Sequence, residues 1–202
     1  SVSQMAVQES IIWIGTSKGL SKSTNFGMSW INYNNVPQFA NEGIYALDIF
    51  NNTIWTSTGF SKDKDNEKIP TGSGYTYSTD SGQNWNHVGQ SLDQRGDSII
   101  ANYGINDSVY MLPVVVPEQN VTYDLSISQS TVWIASWAGG LRKSTDNGTT
   151  WNRILLPLDN MNSIKPSDTL WMYAPFNSKK YYFRFDPRPN NNLKAFSVLA
   201  TD

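Results

Sequence analysis

The most constraining feature of this sequence is an eight-residue motif that occurs three times. The copies are STNFGMSW at 23–30, STDSGQNW at 78–85 and STDNGTTW at 144–151. Each follows the pattern Ser-x-Asp-x-Gly-x-x-Trp, with Asn25 in place of the aspartate in the first copy. A catalytic site has no reason to occur three times in one chain, whereas a structural repeat does. We therefore interpret the motif as an architectural element.

A tryptophan-centred apolar segment precedes each copy. The tryptophans are Trp13, Trp55 and Trp133, and a short polar turn joins each segment to an alternating segment before it. Alternation of apolar and polar residues is typical of half-buried strands, and a tight polar turn between two of them indicates a hairpin. The repeat unit is therefore predicted to be a four-stranded antiparallel meander whose last turn is the motif.

Each residue type in the motif has a structural role in such a turn. The carboxylate, or the amide oxygen of asparagine, accepts hydrogen bonds from backbone N–H groups that the strands leave unpaired. Glycine takes a positive φ angle, and tryptophan packs its ring beneath the turn. The residues assigned to this structural role are Ser23, Asn25, Gly27, Trp30, Ser78, Asp80, Gly82, Trp85, Ser144, Asp146, Gly148 and Trp151.

The motif, in register with the tryptophan strands, resembles the BNR or Asp-box repeat of β-propeller proteins. The phrases WIGTSKGL and YYFRFDPRP also resemble propeller repeats of bacterial sensor ectodomains. Families that share the repeat include sialidases, xyloglucan-cleaving glycosidases, sortilin-type receptors and a photosystem assembly factor. The resemblance implies an all-β fold, a partial β-propeller of four-stranded antiparallel blades with Asp-box turns. A repeat shared so widely does not choose among functions.

We expect a single propeller segment over 1–202. The predicted blades span about 3–36, 42–92, 121–157 and 160–196, and a further blade starts at 196–202. Two insertions are predicted, a loop at 58–75 and a hairpin at about 97–117. An incomplete ring exposes the faces of its terminal blades, so the remaining blades must come from a longer chain or from an oligomer.

Both insertions are predicted to lie on the face opposite the Asp boxes, because turns alternate between the two faces of a meander. Long loops on one rim favour a binding surface there. Trp137, in a turn on that face, could stack on a sugar ring or anchor a protein partner, or it could fill a gap between blades. Tyr110 takes the place of the tryptophan in the inserted hairpin, and it is a further candidate for binding.

The acidic residues Asp63, Asp65 and Glu67 in the first insertion are also candidate binding residues. Their alternating oxygens could hold calcium, but the segment lacks the glycine and the distant glutamate of an EF-hand loop and has lysines interleaved. A solvated loop is the alternative. We predict no metal site and no cofactor.

Charge and composition limit the classes of partner. The 202 residues carry 15 Lys and Arg against 17 Asp and Glu, a net charge of −2, so no basic field exists to gather nucleic acid. No apolar run approaches the roughly 20 residues that cross a bilayer, so we predict no transmembrane segment. Few Lys and Glu beside many Asn, Ser and Thr favour an extracellular or periplasmic location.

The predicted function is that of a non-catalytic recognition or scaffold module of a secreted or cell-surface propeller protein. It would bind protein or glycan through the loop-rich face opposite the Asp boxes. The alternative is a fragment of an Asp-box glycoside hydrolase, with a xyloglucanase-like enzyme favoured over a sialidase. FRFDP, at 183–187, resembles the sialidase Phe-Arg-Ile-Pro signature only loosely, and it follows the last box rather than preceding the first.

Overall fold

The computed structural model describes residues 1–40, 42–96, 99–103, 107–111, 113–155, 170–171, 180–181 and 195–200. Within them, four sheets of four strands each account for nearly all regular structure. The exception is one short helix, α1 (Pro37–Ala40). The prediction of an all-β fold built from four-stranded antiparallel blades is confirmed.

The first two blades are meanders whose strands pair in chain order. The first blade contains β1 (Val2–Gln8), β2 (Ile11–Thr16), β3 (Gly19–Ser23) and β4 (Ile31–Asn32). The second contains β5 (Gly43–Phe50), β6 (Thr53–Lys64), β7 (Glu67–Ser78) and β8 (Asn86–Val88).

A hairpin and a third meander follow along the chain. The hairpin is β9 (Ile99–Tyr103) and β10 (Asp107–Met111). The third blade contains β11 (Thr122–Ser128), β12 (Thr131–Ser136), β13 (Gly140–Ser144) and β14 (Asn152–Arg153). Two short strands, β15 (Leu170–Trp171) and β16 (Lys180–Tyr181), complete the described elements.

The hydrophobic cores lie between successive blades. One core holds Trp13 of the first blade together with Ile44 and Leu47 of the second. The next holds Trp55 of the second blade together with Leu125 of the third. The first strands of the second and third blades, β5 and β11, each contribute one apolar side to the core shared with the preceding blade. The three blades therefore form an arc of a β-propeller.

Hydrogen bonds between innermost strands fix the order of the arc. Ser3 Oγ of β1 donates to the carbonyl of Ile44 in β5. The arc continues beyond the third blade, because the backbone N–H of Val198 donates to the Asp124 carboxylate of β11 at 3.0 Å. Residues 195–200 thus lie directly against β11, where the first strand of the next blade belongs.

The fourth sheet differs from the sequence-based prediction. Its strand order is β15-β16-β10-β9, with β16 parallel to β10 through Tyr110 and Tyr181. The predicted inserted hairpin, β9 and β10, therefore shares a sheet with β15 and β16, the two described strands of the predicted blade at 160–196. Residues 195–200 lie beside β11 instead. Most of the predicted fourth blade lies outside the described residues.

The predicted loop at 58–75 is a regular hairpin in the structure. Strands β6 and β7 remain paired as far as Lys64 and Glu67, and a two-residue turn closes them. Asp65 and Asn66 in that turn have φ angles of 52° and 67°, as type I′ turns require. We call residues 60–71 the arm. The arm rises from the face of the arc that carries the β6–β7 connection.

A neighbouring segment braces the base of the arm. The N–H of Gly72 donates to the carbonyl of Pro117 at 3.1 Å, and the N–H of Gln119 donates to the carbonyl of Pro70 at 2.8 Å. Pro70 uses only its carbonyl in this pairing, which suits a residue without an N–H. The base of the arm is therefore three-stranded.

Candidate functional site

The Asp-box residues are occupied by hydrogen bonds within their own turns. In the second box, Ser78 Oγ donates to Asp80 Oδ1 at 2.7 Å and accepts from the N–H of Gly82 at 2.9 Å. Asp80 Oδ1 also accepts from the N–H of Asn84 at 2.8 Å. Gly82 has a φ angle of +89°, a conformation that side chains resist. These contacts are those of a turn held together from within.

The first and third boxes repeat this geometry. The glycine N–H donates to the serine hydroxyl at 2.9 Å in Gly27 and 2.8 Å in Gly148. The Ser29 N–H donates to the amide oxygen of Asn25 at 2.9 Å, so asparagine performs the task of the aspartate. The same atoms therefore serve the same purpose in all three turns.

The box turns lie on the same face as the connections between the first two strands of each blade. The N–H of Phe26 donates to the carbonyl of Ser10 in the first blade, and the N–H of Ser81 donates to that of Asn52 in the second. The starts of β1, β5 and β11 therefore lie at the opposite face, together with the arm. We call this opposite face the arm face.

Each innermost strand contains a β-bulge where it reaches the arm face. The pairing register shifts around Ser3 in β1, Tyr45 in β5 and Tyr123 in β11. A bulge adds one residue to a strand and redirects its side chain. In two of the three blades, the extra residue at the bulge is a tyrosine.

Four aromatic rings form a continuous group on the arm face, which we call the aromatic row. Tyr45 contacts Tyr123 edge-on, with ring centroids 6.0 Å apart. Tyr123 in turn stacks on Phe196 at 6.0 Å and meets Trp137 edge-on at 6.4 Å. Phe196 and Trp137 close the group at 5.1 Å. The row joins the second blade, the third blade and the strand that follows.

Trp137 fills space between the third blade and residues 195–200. It is partly buried, because its ring packs against Tyr123 and Phe196, and it still reaches the surface. Its backbone N–H donates to the carbonyl of Val121 at 3.0 Å, which fixes the turn that carries it. Phe196 beside it is exposed. The row therefore presents aromatic surface on a supported backbone.

Tyr45, at one end of the aromatic row, lies against the backbone of Gly59. A methyl group added at Gly59 would lie 3.1 Å from the Tyr45 ring and 2.7 Å from the carbonyl of Thr71. Burial, and the proximity of Tyr123, raise the pKa of the Tyr45 hydroxyl. Tyr45 is therefore neutral at physiological pH and offers a ring face with one hydroxyl.

A buried polar layer supports the row from below. The Tyr75 hydroxyl lies 2.8 Å from Thr122 Oγ1, which in turn lies 2.7 Å from Ser136 Oγ. Gln90 Nε2 donates to the carbonyl of Asn120 at 2.6 Å. Buried hydrogen-bond networks of this kind hold side chains and backbone in one arrangement. The arm face is consequently preorganised.

The acidic residues predicted from the first insertion lie at or near the tip of the arm. Asp63 accepts a hydrogen bond from Lys68 Nζ at 3.0 Å, and both side chains are exposed. Asp65 lies in the closing turn, and Glu67 begins β7. Across the described ranges, no group of three or more His, Cys, Asp or Glu side chains converges as a metal site would require.

A carboxylate in each of two inner strands joins adjacent blades. Asp48 of β5 accepts from the N–H of Ile127 in β11 at 2.8 Å, and Asp124 of β11 accepts from the N–H of Val198 at 3.0 Å. Burial raises the pKa of Asp48, with backbone hydrogen bonds opposing the shift and Asp124 adding to it. These oxygens hold neighbouring strands together.

Sequence reasoning named Trp137 as a candidate binding residue but did not name Tyr45, Tyr123 and Phe196, the other rings of the aromatic row. A usable signal was present, since Tyr45 and Tyr123 occupy the same position in two repeats, within IYALDIF and TYDLSIS. The other predicted residue, Tyr110, lies in β10 of the fourth sheet, and only its backbone pairing is described.

No protein-family model matches the chain, and no curated protein matches it. Solved structures do. An ancestral GH74 enzyme is 24% identical, with a TM-score of 0.49, over 78% of this chain and 19% of that one. The protein YCF48, bound to D1 peptide, is 14% identical with a TM-score of 0.35, over 75% of this chain and 52% of that one.

A third similar structure is the extracellular domain of BT4673 from B. thetaiotaomicron, described as a one-component system. It is 14% identical, with a TM-score of 0.25, over 75% of this chain and 27% of that one. The chain thus spans about a fifth to a half of the solved chains it matches. In the described part of the chain, the helix is too short and too polar to cross a membrane.

Proposed function

We propose that this chain is a non-catalytic recognition or scaffold module of a secreted or cell-surface propeller protein. It binds a protein or a glycan through the arm face, in an extracellular or periplasmic setting. The observation that carries the proposal is the aromatic row, four contacting rings on the face that also bears the arm.

The chemistry of the row suits an uncharged partner surface. Tyrosine and tryptophan provide large contact areas at low cost in conformational entropy, and their polar atoms add orientation. The flat faces of such rings accept a sugar ring, an aromatic side chain or an aliphatic side chain.

The arm adds charged side chains to the arm face. Lys62 forms an ion pair with Glu118, and Lys68 forms one with Asp63. Charged groups around an apolar centre contribute specificity and association rate more than affinity. We infer that the aromatic row supplies most of the binding energy and that the arm selects the partner.

The hydrolase alternative requires two carboxylates that are available to a substrate. Asp48 of β5 and Asp124 of β11 are the candidate pair. Each accepts a hydrogen bond from a backbone N–H group, that of Ile127 for Asp48 and that of Val198 for Asp124. Because these backbone hydrogen bonds already engage both carboxylates, a recognition function is favoured over hydrolysis.

The test compares two variants on the arm face with one on the opposite face. Tyr123→Ala and Trp137→Ala remove central rings of the row, whereas Phe26→Ala removes an exposed ring within the first Asp box. The probes are an immobilised oligosaccharide panel that includes xyloglucan fragments, and a displayed peptide library. Ligands selected by the wild-type protein should bind each row variant about 10-fold to 100-fold more weakly, as expected when a central aromatic contact is lost.

The Phe26→Ala control should retain wild-type affinity. A fourth variant shortens the arm by replacing residues 62–69 with Asn-Gly, which preserves a tight turn, and it should alter partner choice. Release of reducing ends from xyloglucan fragments by the wild-type protein would overturn the non-catalytic assignment. Selected ligands that bind the row variants normally would overturn the assignment of the site.

A further inference from the structure

A cleft separate from the aromatic row lies between the inserted hairpin and the third blade. It has a volume of about 870 Å³, and we call it the side cleft. Its lining comes from β9, from β14 and the residues around it, and from the segment 92–95. It shares no residue with the aromatic row. A volume of this size is typical of pockets that bind small molecules.

The side cleft borders a buried cluster in which one carboxylate serves two guanidinium groups. Asp93 and Arg153 both line the cleft, and they form an ion pair at 2.6 Å. Arg142, which is 1% exposed, is the second partner of Asp93, at 2.9 Å. The Asp93 carboxylate also accepts from the N–H of Val114 at 2.7 Å. Asp93 is therefore fully engaged and has little capacity to neutralise further cations.

Two further cations line the side cleft without a carboxylate partner in the described part of the chain. Arg95 is exposed, and it forms no hydrogen bond or ion pair with any described residue. The Lys143 ammonium lies 5.4 Å from the centre of the Trp133 ring. Such a cation–π contact leaves the N–H donors of the lysine available. Both side chains can therefore donate to an anion in the cleft.

The walls of the side cleft are largely apolar. Leu92 and Ile100 line it and are 39% and 63% exposed. Trp151, Ile154 and Leu155 line it on the side of the third blade, and all three are partly buried. A neutral ligand would leave the cations unpaired, and an inorganic anion would leave the apolar walls uncovered. The lining thus matches a molecule that carries a carboxylate on an apolar body.

We propose that the side cleft binds a small organic acid, with its carboxylate held by Arg95 and Lys143 and its apolar body against Leu92 and Ile100. Arg153 stays paired with Asp93 and contributes to the positive potential of the cleft. Because opposite charges attract over several ångströms, these cations also favour entry of an anion into a chain whose net charge is −2. The inference does not depend on the ligand assigned to the arm face.

The test is a ligand-observed NMR titration of the full 202-residue chain with a matched set of small molecules. The acids are acetate, hexanoate and hydrocinnamate, and the neutral analogue is hydrocinnamamide. Hydrocinnamate should bind with a dissociation constant of about 1 mM or below. Acetate lacks the apolar body and hydrocinnamamide lacks the charge, so each should bind at least about 10-fold more weakly.

Substitutions in the lining locate the site. Arg95→Gln and Lys143→Gln each remove one proposed contact and should weaken hydrocinnamate binding by about 3-fold to 10-fold. Ile100→Glu places a carboxylate in the wall and should weaken binding of the acid more than binding of the amide. Lys18→Gln removes an exposed charge from the first blade, outside the cleft, and is the matched control with wild-type affinity.

Circular dichroism melting curves establish that each variant is folded, and Arg95 is exposed, so Arg95→Gln tests the site without disturbing the core. A wild-type protein that binds none of the three acids would overturn the proposal. Equal affinity for hydrocinnamate and hydrocinnamamide would also overturn it, because the cations would then play no part. Hydrocinnamate binding that Arg95→Gln and Lys143→Gln both leave unchanged would place the acid at another site, with the same consequence.

Discussion

A single acidic side chain organises each of the second and third Asp-box turns. Hydrogen bonds lower the pKa of Asp80 to about 2, with the backbone N–H of Asn84 as the largest cause. They also lower the pKa of Asp146 to about 2, with the hydroxyl of Thr150 as the largest cause. Asn25 fills the same place in the first box and carries no charge to titrate. The three boxes therefore differ in pH dependence while sharing one geometry.

This difference predicts how acid affects stability. A carboxyl group whose pKa is lower in the folded state stabilises the fold above its unfolded pKa, and the contribution is lost as pH falls through the folded pKa. For Asp80 the loss should occur between about pH 4 and about pH 2. Asp80→Asn should therefore flatten the pH dependence of the urea midpoint in this window.

The reciprocal change in the first box is the control. Asn25→Asp should steepen the pH dependence in the same window, because the new carboxylate accepts from the N–H and hydroxyl of Ser29, as Asp146 does from Thr150. Urea titrations at a series of pH values measure both effects. An Asp80→Asn profile as steep as that of the wild-type protein would contradict the assignment.

At the level of elements, the repeated meanders could be predicted from the sequence. The bulges, which depend on strand register, and the arm, which occurs once, could not. Three boxes and three tryptophan strands were enough to predict four-stranded meanders. The bulges at Tyr45 and Tyr123 were not predicted, because a single extra residue barely disturbs an alternating pattern. The sequence predicts a loop where the arm lies, because the exposed strands of the arm lack apolar alternation and its Asp65-Asn66 turn is a weaker signal than Asn-Gly.

Gly59 couples the base of the arm to the aromatic row, and its substitution should affect both. An added methyl group would meet the carbonyl of Thr71 at 2.7 Å and the Tyr45 ring at 3.1 Å. Gly59→Ala should lower the free energy of unfolding by about 1–3 kcal/mol, as overpacking typically does, and should weaken ligand binding at the row. Chemical denaturation measures the first effect.

Gly89→Ala is the matched control, because nothing lies within 4 Å of the methyl group it would add. It should change the free energy of unfolding by less than about 1 kcal/mol. Equal effects from the two substitutions would show that contact with Thr71 and Tyr45 is not the cause.

At the scale of the whole molecule, a buried ion cluster ties an irregular segment to the third blade. Asp93 forms ion pairs with Arg142 at 2.9 Å and with Arg153 at 2.6 Å, and it accepts from the N–H of Val114 at 2.7 Å. Desolvation, followed by repulsion from Arg142, lowers the pKa of Arg153 to about 10, against the opposing attraction of Asp93. Arg153 therefore remains charged at neutral pH, and both arginines share this carboxylate as their ion-pair partner.

Removing that charge should be strongly destabilising. Asp93→Asn should lower the free energy of unfolding by about 3–5 kcal/mol, because two buried cations lose their shared partner. Lys68→Met, which removes the exposed pair with Asp63, should cost no more than about 1 kcal/mol. Denaturant titration compares the two variants. An Asp93→Asn effect as small as that of Lys68→Met would show that the cluster contributes little.

At this scale, the pairing of strands far apart in sequence could not be predicted. The parallel contact between β10 and β16 joins residues far apart in sequence, and neither strand carries a signal that names its partner. Residues 196–202 are predicted to start a further blade because they resemble earlier first strands, yet the position of Ser197 and Val198 beside β11 depends on Asp124, whose role no local pattern reveals.

The carboxylates that join adjacent inner strands give the arc a direction. Asp48 precedes its donor Ile127 in the chain, and Asp124 precedes its donor Val198. Synthesis on the ribosome proceeds from the N-terminus, and domains and repeats tend to fold as they emerge. The acceptor is therefore present before the strand that requires it. A growing chain can thus add each new blade to a partner already in place, which makes the order of translation the natural order of assembly.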